Sequence, residues 1–235
     1  MILTVLGCNG PWPAAGGATS GYLVEEQGEA LLMDCGSGVL SGLMRRMDPA
    51  ELQGVLLTHL HFDHMSDLFV LQYYLQNVGK TLPVYVPEEA LPLAQQMLPT
   101  DMFHLNAYKP SQRIGMFDVE TAPTRHPVPS VALRVTCGSS KLVYTGDAAE
   151  GDSLTAFCQN AGFLLADGAF LHNKKKENAP HMSAQEAAGL ARRAGVKKLM
   201  ITHFPPNEVT ELLLAEARRV YPKAQAAVIG RQIEV

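Results

Sequence analysis

Thr58-His59-Leu60-His61-Phe62-Asp63-His64 follows directly on the apolar run Val55-Leu56-Leu57. Three imidazoles and one carboxylate within six positions form a dense set of metal-capable groups. Alternation along a strand places His59 and His61 on one face. It cannot aim all four groups at one point, so Asp63-His64 must turn toward a second. This geometry suits two neighbouring cations better than one, and zinc, manganese or iron(II) accept such a nitrogen and oxygen mixture.

Working outward, apolar runs alternate with helical stretches, and no linker or low-complexity segment interrupts them. Strands are expected at 2–6, 20–25, 30–34, 54–58, 83–86, 117–121, 131–135, 141–145, 163–167, 198–202 and 226–229. Helices are expected at 38–47, 65–78, 88–97, 152–161, 184–194 and 208–220, with Pro92 shortening or kinking the third. Ser183-Ala184-Gln185-Glu186 reads as a capping box, and Gly195 and Gly79 close their helices. In the last helix Val209, Leu212, Leu213 and Val220 are expected to face the core.

Gly54-Val55-Leu56-Leu57-Thr58-His59 is echoed by Lys198-Leu199-Met200-Ile201-Thr202-His203. Two apolar strands ending in Thr-His suggest a duplicated unit, with halves at about 1–115 and 116–235 of a single domain and the site at their seam. Two cations need more ligands than the first motif holds. His203 ends a strand, His126 precedes Pro127 in an ordered loop, and Asp147 follows the strand Tyr144-Thr145-Gly146. A carboxylate there can bridge two cations. His104 is read as a surface loop residue, and His172, beside Lys174-Lys175-Lys176, as solvated.

Composition narrows the function classes. The chain has 235 residues, is 47% hydrophobic and carries a net charge of −4, which gives no general pull toward nucleic acid or anionic membrane. No run reaches the roughly twenty apolar residues of a membrane span, and Met1–Leu6 reads as a strand rather than a signal peptide. Cys8, Cys35, Cys137 and Cys158 are spread apart and form no CxxC pair, as in a cytoplasmic protein with reduced thiols.

His59-x-His61-x-Asp63-His64, followed by His126, Asp147 and His203, resembles the metallo-β-lactamase superfamily over nearly the whole chain. The resemblance implies a four-layer αββα sandwich with a dinuclear site at one edge of the two sheets. It implies that His59, His61 and His126 hold one cation, that Asp63, His64 and His203 hold the other, and that Asp147 bridges. Zinc is the expected metal and manganese the alternative. Within the superfamily, the ribonuclease Z-like phosphodiesterases are most similar. Leu6-Gly7 with Gly17–Leu23 is similar to their first loop, Met33-Asp34-Cys35-Gly36-Ser37-Gly38 to their DCG segment, and His181-Met182-Ser183 with Ile201-Thr202-His203-Phe204 to their HST and THF blocks.

That likeness implies a cation-activated water attacking a small anionic, even cyclic, phosphodiester, with His181 as general acid and Asp63 belonging to both the metal and the catalytic sets. Asp34 is expected to brace the ligand turns. Thr19 and Ser20 are read either as phosphate contacts or as turn formers. Lys174–Lys176 either steer an anion or are solvated. Transfer-RNA enzymes of this group carry a long arm between the third metal histidine and the bridging aspartate. Here that interval is 147 − 126 = 21 residues, too short for an arm, so transfer RNA is not the expected substrate. The likeness also admits a homodimer. Competing expectations are a lactonase, a thioesterase with its C-terminal helical domain, an exported zinc β-lactamase, or a non-catalytic metal sensor.

Overall fold

The computed structural model describes residues 1–235. The first part of the chain forms β1 (Ile2–Gly7), β2 (Gly21–Glu26), β3 (Glu29–Met33), β4 (Gly54–Leu56), β5 (Leu82–Val86) and β6 (Phe103–Ala107). The remainder forms β7 (Ser111–Ile114), β8 (Phe117–Pro123), β9 (Val131–Cys137), β10 (Ser140–Tyr144), β11 (Phe163–Asp167), β12 (Lys198–Thr202), β13 (Gln225–Ala226) and β14 (Gln232–Glu234). They build two mixed seven-stranded sheets, ordered β14-β1-β2-β3-β4-β5-β6 and β13-β12-β11-β10-β9-β8-β7. The last strand therefore crosses back to pair with the first.

Both faces of β1 to β4 in the first sheet are dry over most of their length, which is why these strands read as largely apolar runs. Tyr22, Val24, Leu31, Met33 and Leu56 point inward and join Leu133, Val135, Leu142 and Tyr144 of the second sheet. The alternate residues Leu23, Leu32, Val55 and Val84 point outward onto Val39, Leu43, Leu71 and Leu75. Those residues belong to α1 (Val39–Leu43) and α3 (Leu68–Val78), which follows the single turn α2 (Phe62–Met65). α4 (Leu91–Met97) packs beside β6, while α5 (Asp152–Phe157), α6 (Ala184–Arg193) and α7 (Thr210–Val220) cover the second sheet. The layers run helix, sheet, sheet, helix, as expected. No helix is long and apolar enough to cross a membrane.

The differences from expectation have physical causes. β6, β7 and β14 were not expected, and each is an edge strand with at least half its residues out of the core. His104 lies on β6 rather than in a loop, though it is exposed as expected, with Nε2 2.9 Å from Thr81 Oγ1. The helix expected at 65–78 is two helices. It breaks at Asp67, whose carboxylate accepts from the Leu40 N–H at the start of α1 (2.8 Å). Pro92 sits in the first turn of α4, where it starts the helix instead of kinking it. In α7, Leu213 and Ala217 face the core, while Val209 and Leu212 are exposed. The apolar stripe is thus rotated from the expected one.

Candidate metal centre

The ends of strands from both sheets meet at one edge of the sandwich. Asp34 follows β3 with a left-handed backbone (φ +56°), a conformation aspartate tolerates better than most residues. Its buried carboxylate accepts from the Thr58 N–H (2.8 Å), the Thr58 hydroxyl (3.0 Å) and the Tyr144 hydroxyl (2.9 Å), and lies 2.7 Å from His64 Nδ1. One carboxylate thereby fixes the strand end, the first histidine turn and the His64 ring, the bracing expected of Asp34. The metal-capable loop approaches so closely that a Cβ on Gly36 would lie 2.0 Å from the Asp63 carbonyl oxygen. Thr19 and Ser20 are buried inside the same turn, with the Ser20 N–H donating to the Asp63 carbonyl (3.2 Å). That placement matches turn formation.

The second sheet supplies the other side. The loop after β8 is closed by the Thr124 N–H donating to the Ser130 carbonyl (3.0 Å), which projects His126. The His126 Nδ1 lies 3.4 Å from the Pro180 carbonyl, which directs Nε2 inward. Asp147 follows β10. His203 follows β12 with φ +64°, and its ring fills the space that a side chain on Gly10 would need. A left-handed histidine is a strained conformation that persists because its surroundings impose it.

Three groups of donor atoms result. His59, His61, His126 and Asp147 form the first, Asp63, His64, Asp147 and His203 the second, and Asp167, His181 and His203 the third. In the first, His61 Nδ1 lies 3.0 Å from His59 Nε2 and 3.2 Å from His126 Nε2, and His59 Nε2 lies 3.7 Å from Asp147 Oδ2. In the second, His64 Nε2 is 3.6 Å from Asp63 Oδ2, and Asp147 Oδ1 is 3.3 Å from His64 Nε2 and 3.4 Å from His203 Nε2. Donors about 2.0 Å from one tetrahedral cation lie about 3.3 Å apart. His64 Nε2 and Asp147 Oδ1 are buried and lack any hydrogen-bond partner, as expected of atoms whose partner is a cation. The residues present fit a metal.

Electrostatics agrees. Burial holds His59 well below the usual imidazole range, with the neighbouring His64 adding to the effect, and burial also lowers His61 and His126. All three are neutral and present lone pairs. Burial opposes ionisation of Asp147, yet His203 and His64 hold it well below the usual carboxylate range. Burial also opposes a charge on His64, but Asp147 and Asp34 raise it well above the ordinary value.

His181 stands beside this cluster. Its ring stacks on His203 at a centroid distance of 5.0 Å and an interplanar angle of 17°. Its Nδ1 lies 2.9 Å from Asp167 Oδ2 and 3.8 Å from Asp147 Oδ2. Burial lowers the imidazole's affinity for a proton, but the charge and hydrogen bond of Asp167 outweigh it, and the pKa is pushed up to about 9. The expected capping box is present. Ser183 Oγ accepts from the Glu186 N–H (3.2 Å), and the Glu186 carboxylate accepts from the Ser183 N–H (2.8 Å). Asp167 was not anticipated. Its sequence signal was available, since it ends the apolar strand 163–167 just as His203 follows the apolar strand 198–202. The lysines mostly hold acids, with Lys174 paired to Glu208 (2.6 Å) and Lys175 to Glu186 (2.8 Å). His172 is exposed, as expected. Cys8, Cys35 and Cys158 are buried and unpaired, in keeping with a packing role.

Comparison with known proteins adds the following. Residues 29–204 match the model of a β-lactamase superfamily domain. A Bacillus subtilis protein named "Probable metallo-hydrolase YhfI" is 37% identical over 229 residues, 94% of each chain. The crystal structure of YhfI, a metallo-β-lactamase fold protein, superposes with a TM-score of 0.95 at 35% identity, covering 100% of this chain and 98% of that one. A ribonuclease Z of Brevibacillus brevis is 26% identical over 304 residues, covering 97% of this chain and 94% of its own.

Proposed function

The chain belongs to the β-lactamase superfamily and shares the metallo-β-lactamase fold, and from that premise we propose that it is a metal-dependent hydrolase of small phosphodiesters, cyclic ones included. His59, His61 and His126 would hold one divalent cation, Asp63, His64 and His203 a second, and Asp147 both, with zinc or manganese suited to this donor set. Such a pair of cations acidifies a water and neutralises charge on phosphoryl oxygens.

The chain's own chemistry centres on His181, which is the observation that carries the reading. With Nδ1 held 2.9 Å from Asp167, the ring is biased toward its protonated form. Its other nitrogen is left as the proton donor. As the phosphorus–oxygen bond breaks, the proton moves from Nε2 to the departing alkoxide, which is too basic to leave unaided. Asp167 keeps the ring oriented and stabilises its charged form. The relative named as a ribonuclease supports phosphodiester chemistry. Transfer RNA remains a poor candidate for this chain. The interval from His126 to Asp147 is filled by the β9–β10 hairpin, with no room for a gripping arm, and the net charge is −4.

A substrate panel on metal-loaded protein tests the proposal. Turnover of bis-p-nitrophenyl phosphate without turnover of lactones is the expected result, and the reverse pattern overturns it. In His181→Ala we expect retained metal and fold with a rate lower by about a hundred-fold or more on a dialkyl or cyclic phosphodiester, whose leaving group is an alkoxide, and a smaller loss on p-nitrophenyl esters. An unchanged rate would remove His181 from the chemistry.

A further inference from the structure

His61 has two faces. One presents Nδ1 to His59 and His126. The other lines a cavity of about 360 Å³, walled by Phe62, Leu93, Met97, Val128 and Pro129. These residues come from the metal-capable loop, α4 and the loop after His126. Phe62 precedes Asp63 directly, yet it is 65% exposed, and Leu93 opposite is 51% exposed. A ligand that covered these two large apolar side chains would gain in proportion to the apolar area it buried. The prolines at 127 and 129 hold Val128 in place. Apart from His61, the only ionisable group in the lining is Glu89, an exposed carboxylate that repels a second anionic group.

A second cavity beside the centre differs in chemistry. His126 also lines a cavity of about 290 Å³ whose walls include Arg125, Glu177, Asn178 and Pro180. The arm that His181 protonates lies on the His181 side of the centre, and Pro180 of this cavity's wall directly precedes His181. The apolar side is left for the arm that stays on phosphorus.

We propose that the Phe62–Leu93 cavity is the subsite for a neutral, flat, apolar ester arm retained on phosphorus, such as an aryl or base-like ring. The proposal rests on the phosphodiesterase reading above and narrows its substrate class. A ring inserted there reaches from the cation-binding edge across Phe62 to Leu93 and buries both.

The test holds the leaving group constant and varies the retained arm. p-Nitrophenyl phenyl phosphate is compared with p-nitrophenyl methyl phosphate, and binding of the two products, phenyl phosphate and methyl phosphate, is measured by calorimetry on metal-loaded protein. The phenyl compounds are expected to be preferred about ten-fold in both kcat/KM and affinity, and Leu93→Asp to bring both ratios to about one. Equal handling of phenyl and methyl by the wild type, or an undiminished ratio in Leu93→Asp, overturns the subsite. Hydrolysis of both diesters at equal efficiency would sink the subsite and leave the diesterase reading standing. Preferred binding of phenyl phosphate without hydrolysis of either diester would do the opposite.

Discussion

Asp34 and Asp167 do parallel work, one for each sheet. Asp34 gathers Thr58, His64 and Tyr144 around a buried carboxylate. Asp34→Asn keeps the shape and removes the charge that orients His64. We expect metal affinity to fall by about ten- to a hundred-fold, read by competition with a chromophoric chelator. Asp167 raises His181 from 6.5 to about 9. Because the folded value is the higher one, the stabilisation in cation-free protein is complete below about 6.5 and is lost as pH rises through about 9. Asp167→Asn removes that dependence. It also releases the proton from His181 at lower pH, so the alkaline limb of the diesterase profile should move downward by more than one pH unit. An unmoved limb would show that another group sets it.

At the scale of elements, the capping box of α6 connects stability to the site, because its N-cap Ser183 lies two residues after His181. Ser183→Ala should cost about 1 kcal/mol in urea unfolding. It should lower kcat more than it raises KM, since the loop carrying His181 loosens. Elements whose cause is local were legible from the chain alone. The Ser183–Glu186 box and the left-handed Gly79 and Gly195 stand where the sequence places them. Elements whose cause is tertiary were not. β6, β7 and β14 are edge strands without a fully apolar pattern, and the break between α2 and α3 exists because Asp67 is needed at the start of α1. The same division holds in the site. The histidine loop announces itself by density, whereas Asp167 carries only the weaker signal of a lone carboxylate ending an apolar strand, and its role shows once β11 is seen between β10 and β12. Gly36→Ala offers an element-level check. The added Cβ would meet the Asp63 carbonyl at 2.0 Å, so it should destabilise the fold by about 2 kcal/mol or more and displace Asp63.

The whole molecule is two sheets whose strand ends point at one place. The first supplies Asp34 and the His59–His64 loop, and the second supplies His126, Asp147, Asp167 and His203. Direct bonds join the sheets at this edge, among them the Val131 N–H to the Thr58 carbonyl (3.0 Å), the Phe204 N–H to the Cys8 carbonyl (2.9 Å) and the Tyr144 hydroxyl to Asp34 (2.9 Å). Cations held by both sheets would clamp them together. Chelation should therefore lower the unfolding temperature, with a loss of about 2.7 kcal/mol for each site that had been filled at a hundred times its Kd. Cation binding should also release protons, because Asp147 and Asp34 bias His64 toward its protonated form and a ligating imidazole must be neutral. The most direct test of a metal-dependent diesterase is a titration of chelator-stripped protein with zinc or manganese while bis-p-nitrophenyl phosphate hydrolysis is followed. The rate should start near zero and rise to a plateau at two equivalents per chain. Full activity without added metal, or none at any equivalence, would contradict the account.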